Sequence, residues 1–210
     1  MGSRALALAL LGCVLAGAGA PAADEAGPWE LLGELRRRLS AEGAIATDFV
    51  QTFLPAGFAT GEQERGQLAL AVPDCLRWDY EAPFPKSFLI CGEVAHSWTP
   101  GEPTGRRLHL RAREQAGLDL LLLPASELAE RYRARVERGP DRLAVLLEPL
   151  SEDLGLSGAR LELDPATSLP RALAWTDLEG NRSRFEFADY RGLANREAFV
   201  PPADIEWRDD

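Results

Sequence analysis

The chain has 210 residues, a formal charge of -10 at pH 7 and a pI near 4.8. That balance excludes nucleic acid and anionic membrane surfaces as main partners, because both demand clustered cations. Lys86 is the only lysine against 22 arginines, a bias that carries no mechanism by default.

The first residues read as a targeting segment. Arg4 supplies a positive start, Ala5 to Val14 is an apolar run too short to cross a bilayer, and Ala20-Pro21-Ala22 is a cleavage pattern. Residues 1–22 are therefore expected to be a secretory signal and 23–210 the exported chain. The alternative is a lipoprotein signal, with Cys13 acylated after Leu10-Leu11-Gly12. No later apolar stretch reaches transmembrane length, so the exported part is expected to be one soluble, periplasmic domain. It keeps Cys75 and Cys91, in a compartment that permits disulfides. With His96 and His109 these cysteines do not form a metal motif, and no cofactor is expected.

Pro28 to Leu39 has the pattern of a helix, with Trp29, Leu32, Leu35 and Leu39 on one stripe. From Phe49 onward the period changes to two, through Phe53 and again from Gln67 to Tyr80. A hairpin centred on Pro83 sets Trp78 against Phe88 and Leu76 against Ile90 on one side of a sheet. Arg77, Asp79 and Ser87 then share the other side, and a slip of one residue would mix the two sets. The same register opposes Cys75 and Cys91 on the polar side and predicts a disulfide between them.

Mid-chain, Gly117 to Arg131 is too apolar for a surface loop: Leu118 and Leu120 to Leu123 are followed by Pro124, and Ser126 could cap a helix beginning at Glu127. A buried core strand is the other reading of this piece. A hairpin around Gly139-Pro140 pairs Val136 with Leu143, Ala134 with Val145 and Tyr132 with Leu147. Ala159, Leu161 and Leu163 form a further strand ended by Asp164-Pro165. Around Glu179-Gly180, Leu173 meets Phe185 and Trp175 meets Ser183. The fold class is therefore mainly β with a few helices. One large curved antiparallel sheet is covered by the N-terminal helix and the mid-chain apolar insert. Loose cover would leave a hydrophobic pocket on the concave face.

Catalytic patterns are missing from the sequence: it has no G-x-S-x-G, H-E-x-x-H or P-loop. Asp177 and Glu179 are acidic residues in a turn, and both histidines stand alone. The expectation is a binding protein, not an enzyme.

A dispersed pattern carries more. Phe49-Val50-Gln51-Thr52 precedes a Gly66-x-Leu68-x-Leu70 strand, then Pro73, then Leu76-Arg77-Trp78-Asp79-Tyr80 and Pro83. Leu89-Ile90-Cys91-Gly92 leads to Trp98 and Pro100; far downstream come Phe185-Glu186-Phe187 and Phe199-Val200-Pro201-Pro202. From the N-terminal helix to Trp207 this resembles the periplasmic outer-membrane lipoprotein carrier family, the LolA type. The resemblance implies an unclosed β-barrel lidded by helices, with a cavity for lipid acyl chains. It implies acylated lipoproteins or other lipids as cargo, an inner-membrane donor complex, an outer-membrane acceptor, and a monomer. The lipid-binding residues would be Phe49, Leu68, Leu70, Val72, Leu76, Trp78, Phe88, Ile90, Leu118, Leu121 and Leu122. Two positions depart from the family pattern. Just before the strand proline, where the family commonly has a basic residue that helps latch the lid, stands Val72, and the place usually held by aspartate before the glycine is Cys91. A valine offers no hydrogen bond, so the closed lid is expected to be less favoured. The runner-up is a regulatory or structural protein of this fold that binds a lipid or protein partner without carrying lipoproteins.

Overall fold

Alternating side chains joined by short turns draw most of the chain into one sheet. The computed structural model describes residues 26–41, 43–110 and 119–209, so the expected signal, Cys13 and Leu118 lie outside the described residues. Helix α1 (Pro28–Ala41) precedes six strands: β1 (Ile45–Leu54), β2 (Glu62–Ala71), β3 (Cys75–Ala82), β4 (Lys86–Cys91), β5 (Val94–Trp98) and β6 (Thr104–His109). The insert follows as two short helices, α2 (Asp119–Leu122) and α3 (Ala125–Arg131), which discards the strand reading of this segment. Then come β7 (Tyr132–Gly139), β8 (Arg142–Pro149), β9 (Leu156–Leu163), β10 (Pro170–Asp177), β11 (Arg182–Gly192) and β12 (Glu206–Asp209).

The twelve strands lie in the order β12-β6-β5-β4-β3-β2-β1-β11-β10-β9-β8-β7, open at both ends. Neighbours are antiparallel with one exception to the expectation: β12 runs parallel to β6, because the chain crosses the outer face of the sheet to reach that edge. The Pro83 hairpin has the predicted register, with Trp78 against Phe88, Leu76 against Ile90 and Cys75 against Cys91. Leu173–Phe185 and Trp175–Ser183 also pair as expected. The β7–β8 hairpin does not. Val136 pairs with Val145, Ala134 with Leu147 and Tyr132 with Pro149, two residues from the predicted partners. Pro140 and Asp141 take the two central turn positions, so Gly139 opposes Arg142. Because the displacement is two residues, every side chain keeps its face. Ser126 does not cap the second insert helix either: α3 starts at Ala125, with Pro124 in extended conformation before it and no side-chain cap.

Antiparallel neighbours place successive turns on alternate rims of the sheet. One rim carries the turns at 55–61, 83–85, 99–103, 150–155 and 178–181; the other carries 72–74, 92–93, 140–141 and 164–169. On the first rim Gly180 has φ of +87°, a conformation that glycine adopts without strain, and Asp177 shapes the turn by accepting from Asn181 N and Nδ2.

The outer face of β3–β5 is not the bare polar surface that alternation suggested. Leu89, Ala71, Trp98, Ala44 and Phe199 form a second buried cluster, with Ile205, Trp207, Cys75 and Cys91 packed against it. Residues after β11 are strapped across this face. Arg77 Nη1 donates to Ala198 O at 3.0 Å, and its guanidinium lies 5.1 Å from the Trp98 ring centroid. Beneath the strap, Cys75 and Cys91 are joined by a disulfide with Cα atoms 4.2 Å apart. Gly92 N donates to Asp74 O just outside them, which makes the cysteines a non-hydrogen-bonded pair, the closer kind of opposed pair. Alkylating exported, denatured, unreduced protein should therefore leave Cys75 and Cys91 unlabelled, and reduction should cost about 3 kcal/mol of stability. Two labelled thiols would remove the bridge.

Candidate functional site

The concave face is built in rows across neighbouring strands. Leu70, Leu76 and Ile90 form one row; Leu68, Trp78 and Phe88 form the next. In the third, Gly66 stands between Phe49 and Tyr80. A Cβ on Gly66 would lie 1.9 Å from Asp79 O, so the backbones approach too closely for any side chain. The space left above Gly66 lets the Phe49 and Tyr80 rings meet edge to face at 5.0 Å between centroids, although a whole strand separates them. Phe185 continues the aromatic surface, 5.2 Å from Trp78, 5.6 Å from Phe49 and stacked 5.3 Å from Trp175.

The lid closes over the leucine end of this surface. Leu31, Leu32, Leu35 and Leu39 of α1, with Leu120, Leu121 and Leu128 of the insert, are buried in one core with Phe49, Leu68, Leu70, Val72, Leu76, Trp78 and Ile90. Leu122 packs partly buried against it. The residues expected to line a lipid cavity thus lie together, filled by the leucines of the lid. Phe88 stands apart from that core, 37 % exposed at the edge of the face.

Polar groups are sparse in this interior, and two of them matter. Trp78 is only 4 % exposed, yet its indole N–H has no hydrogen-bond partner among the described residues. Buried donors are normally paired, and an unpaired one costs about 1–3 kcal/mol. The second is Arg36 of α1, whose Nη1 donates to the backbone oxygen of Leu122 and ties helix α1 to the insert. Reading the sequence did not foresee this contact. Val72 holds nothing by hydrogen bonds, being 4 % exposed within the core, but a cation from α1 joins the two parts of the lid. No periodicity in the sequence announces a contact from a side chain to a backbone oxygen 86 residues away. Beside this contact a cleft of about 290 Å³ opens between lid and sheet, lined by Pro73, Ile90, Leu110, Leu122 and Leu123 among others.

Burial falls off toward the rim that bears the 55–61 and 83–85 turns. Along β3, Leu76 and Trp78 are buried while Tyr80 and Ala82 are half-buried; along β10, Leu173 is buried and Trp175 is not; β4 grades from Ile90 to the exposed Phe88. The aromatic end of the concave face is therefore its mouth. There Tyr80 Oη donates to Gln51 Oε1 at 2.6 Å, and Lys86 Nζ lies 4.4 Å from the Tyr80 ring while paired with Glu64 at 2.7 Å. Burial, with the Glu64 charge adding to it, holds the Tyr80 phenol well above its ordinary pKa, so it stays a neutral donor. Trp175, which reasoning from the sequence did not assign to the lining, completes this mouth, with Phe185 and Phe187 buried behind it; the alternation of β10 and β11 was the signal that could have found them.

The model of the outer membrane lipoprotein carrier protein LolA matches residues 41–199. The chain belongs to the LolA family. An outer-membrane lipoprotein carrier protein of Chromohalobacter salexigens is 28 % identical over 165 residues, covering 71 % of this chain and 78 % of the relative. Two solved structures share the LolA-type fold seen here at low identity. An uncharacterized conserved protein of Thermus thermophilus superposes with a TM-score of 0.52 at 12 % identity, over 86 % of this chain and 98 % of its own. A DUF1329 family protein of Desulfovibrio piger gives 0.50 at 10 % identity, over 86 % and 100 %. This member of the family thus has a sheet left open and covered by three helices among the described residues.

The lid contact is directly testable. Arg36→Met keeps the aliphatic stem and removes the donor, a loss of about 1–3 kcal/mol from the closed state. Uptake of bis-ANS should rise several-fold, and amide exchange at 120–122 should quicken. Unchanged exchange there would show that Arg36 does not hold the lid. Val72→Arg, by contrast, buries a charge and should lower the melting temperature sharply.

Proposed function

We propose that this protein is a periplasmic carrier that shields lipoprotein acyl chains within its concave interior on their way to the outer membrane. The observation that carries this reading is the buried Trp78 N–H, without a partner among the described residues, amid a largely apolar, lid-filled interior. A sheet core serving only to hold the fold has no use for such a donor. An ester or amide carbonyl at the head of an acyl chain would satisfy it.

The lid leucines occupy the space that acyl chains would take. Opening parts α1 from the insert at the Arg36–Leu122 contact, and the incoming chain replaces apolar contacts by apolar contacts. Each methylene withdrawn from water contributes about 0.8 kcal/mol, so a long chain is held firmly. Returning leucines recover much of that energy when the chain leaves. Such an exchange lets the carrier both load and release. Phe49, Leu68, Leu70, Leu76 and Ile90 would contact the chain, and Phe88 would guard the mouth. An inner-membrane donor complex and an outer-membrane acceptor would stand at the two ends of the transfer, and nothing in the site calls for a cofactor.

Native mass spectrometry of protein isolated from the periplasm should find acylated adducts, and added lipopeptide should bind one to one. A bare mass together with no lipopeptide uptake would sink the carrier reading in favour of a LolA-fold protein with another partner. Trp78→Phe removes the donor while keeping an aromatic ring. It should weaken binding of an acyl ester by about three- to ten-fold, the worth of one hydrogen bond, and leave a plain hydrocarbon probe unaffected. Equal losses for both probes would assign Trp78 to packing alone.

A further inference from the structure

Among the described residues, four of the eight exposed large apolar side chains stand at hairpin tips; the others are Val200 on the strap after β11, 61 % exposed, Val50 and Phe53 on β1, and Phe88 on β4. Phe84 is 74 % exposed, Phe58 67 %, Leu150 49 % and Leu178 46 %. Each occupies a different turn, and these are the turns of four hairpins that are immediate neighbours in the sheet, β4–β3, β2–β1, β11–β10 and β9–β8. All four turns lie on the same rim. The turns of the opposite rim expose no large apolar side chain among the described residues. The central two tips are tied together, Ala56 N donating to Asn181 Oδ1 at 3.0 Å, which fixes Phe58 and Leu178 on a common edge.

We infer that this rim docks the protein directly onto the surface of a lipid bilayer, with the four side chains entering the headgroup boundary. Hairpins two strands apart are separated by roughly 10 Å, so the four tips trace an arc of about 30 Å along the rim. Separate protrusions along an arc do not match the single pocket that a protein partner offers to a buried anchor. They do match a broad, deformable apolar layer. The tips at 55–61 and 83–85 contain no charged residue, so their entry strips no ion of water. Pro55, Pro83 and Pro85 also lack the N–H groups that would need partners there. None of the four tips holds a lysine or arginine, and Glu152, Asp153 and Glu179 outnumber Lys86 and Arg182 at the strand ends beside them, Lys86 being already paired with Glu64. The lipid it favours is therefore zwitterionic, not anionic. The rim is also the one toward which the concave face opens, so a docked protein would turn its aromatic mouth to the bilayer. Docking does not depend on what the interior holds: a protein with a permanently packed core would dock equally.

Flotation with vesicles of phosphatidylcholine and phosphatidylethanolamine, free of any lipoprotein, tests this. The parent protein should float with them, 0.5 M NaCl should not release it, and added phosphatidylglycerol should weaken binding or leave it unchanged. The variant Phe58→Ser, Phe84→Ser, Leu150→Ser, Leu178→Ser should bind at least ten-fold more weakly with an unaltered melting temperature. Should the quadruple variant misfold, Phe58→Ser, Phe84→Ser alone should lose several-fold. Arg142→Ser on the opposite rim should change nothing. A parent that ignores vesicles, a well-folded tip variant that binds as the parent does, or binding abolished by salt would each overturn the proposal. Uptake of lipopeptide measured in detergent, without vesicles, should be the same for parent and tip variant, which separates this failure from failure of the carrier reading.

Discussion

A twelve-stranded sheet that stays open has an apolar concave face and no partner sheet to cover it, and the covering of that face governs the rest of the molecule. Two elements far apart in the chain share the task. Helix α1 arrives before the first strand, and the insert arrives between β6 and β7, so the lid joins two distant parts of the chain on one face of the sheet. Seven leucines from these elements meet Phe49, Trp78 and their neighbours with almost no exposed surface. Single buried leucines contribute about 1.5–3 kcal/mol each, which makes the lid a principal part of the folded state and no mere appendage.

Yet the lid is attached by means that can be undone. Its apolar contacts are non-directional and can be remade with any hydrocarbon of similar bulk, and α1 is tied to the insert by one guanidinium donating to one carbonyl among the described residues. The opposite side of the sheet is held differently. A disulfide, the Arg77 contacts to Ala198 and Trp98, and the packed Phe199 and Trp207 fix the outer face of β3–β6. A rigid back and a separable front follow from these two kinds of bonding.

Much of this was legible in the sequence wherever turn chemistry and alternation agreed. Pro83 and Glu179-Gly180 each fixed a register to the residue, because a slip of one would have driven Arg77 or Arg184 inward. At Gly139-Pro140 alternation allowed two registers with identical faces, and only the backbone geometry of Pro140-Asp141 separated them. The outer cluster was hidden for another reason. Phe199, Ile205 and Trp207 follow no period, so nothing local showed that Leu89 and the cysteines would be covered. In the candidate site, the row from Leu70 to Ile90 was readable from pairing. Arg36 was not, because its role exists only once the insert lies beside it.

An open sheet also exposes two strand edges, each able to recruit a strand from another copy. On β7 the outward face carries Arg133, Arg135 and Glu137, with Arg138 beside the turn, charged side chains of the kind that blunt an exposed strand edge. At the other end β12 is four residues long, with Glu206, Arg208 and Asp209 exposed, and Asp209 is engaged by Arg107 at 2.6 Å. One edge is densely charged and the other is too short to template growth. The barrel can thus stay unsealed, as a separable lid requires, without inviting polymerisation along its seams.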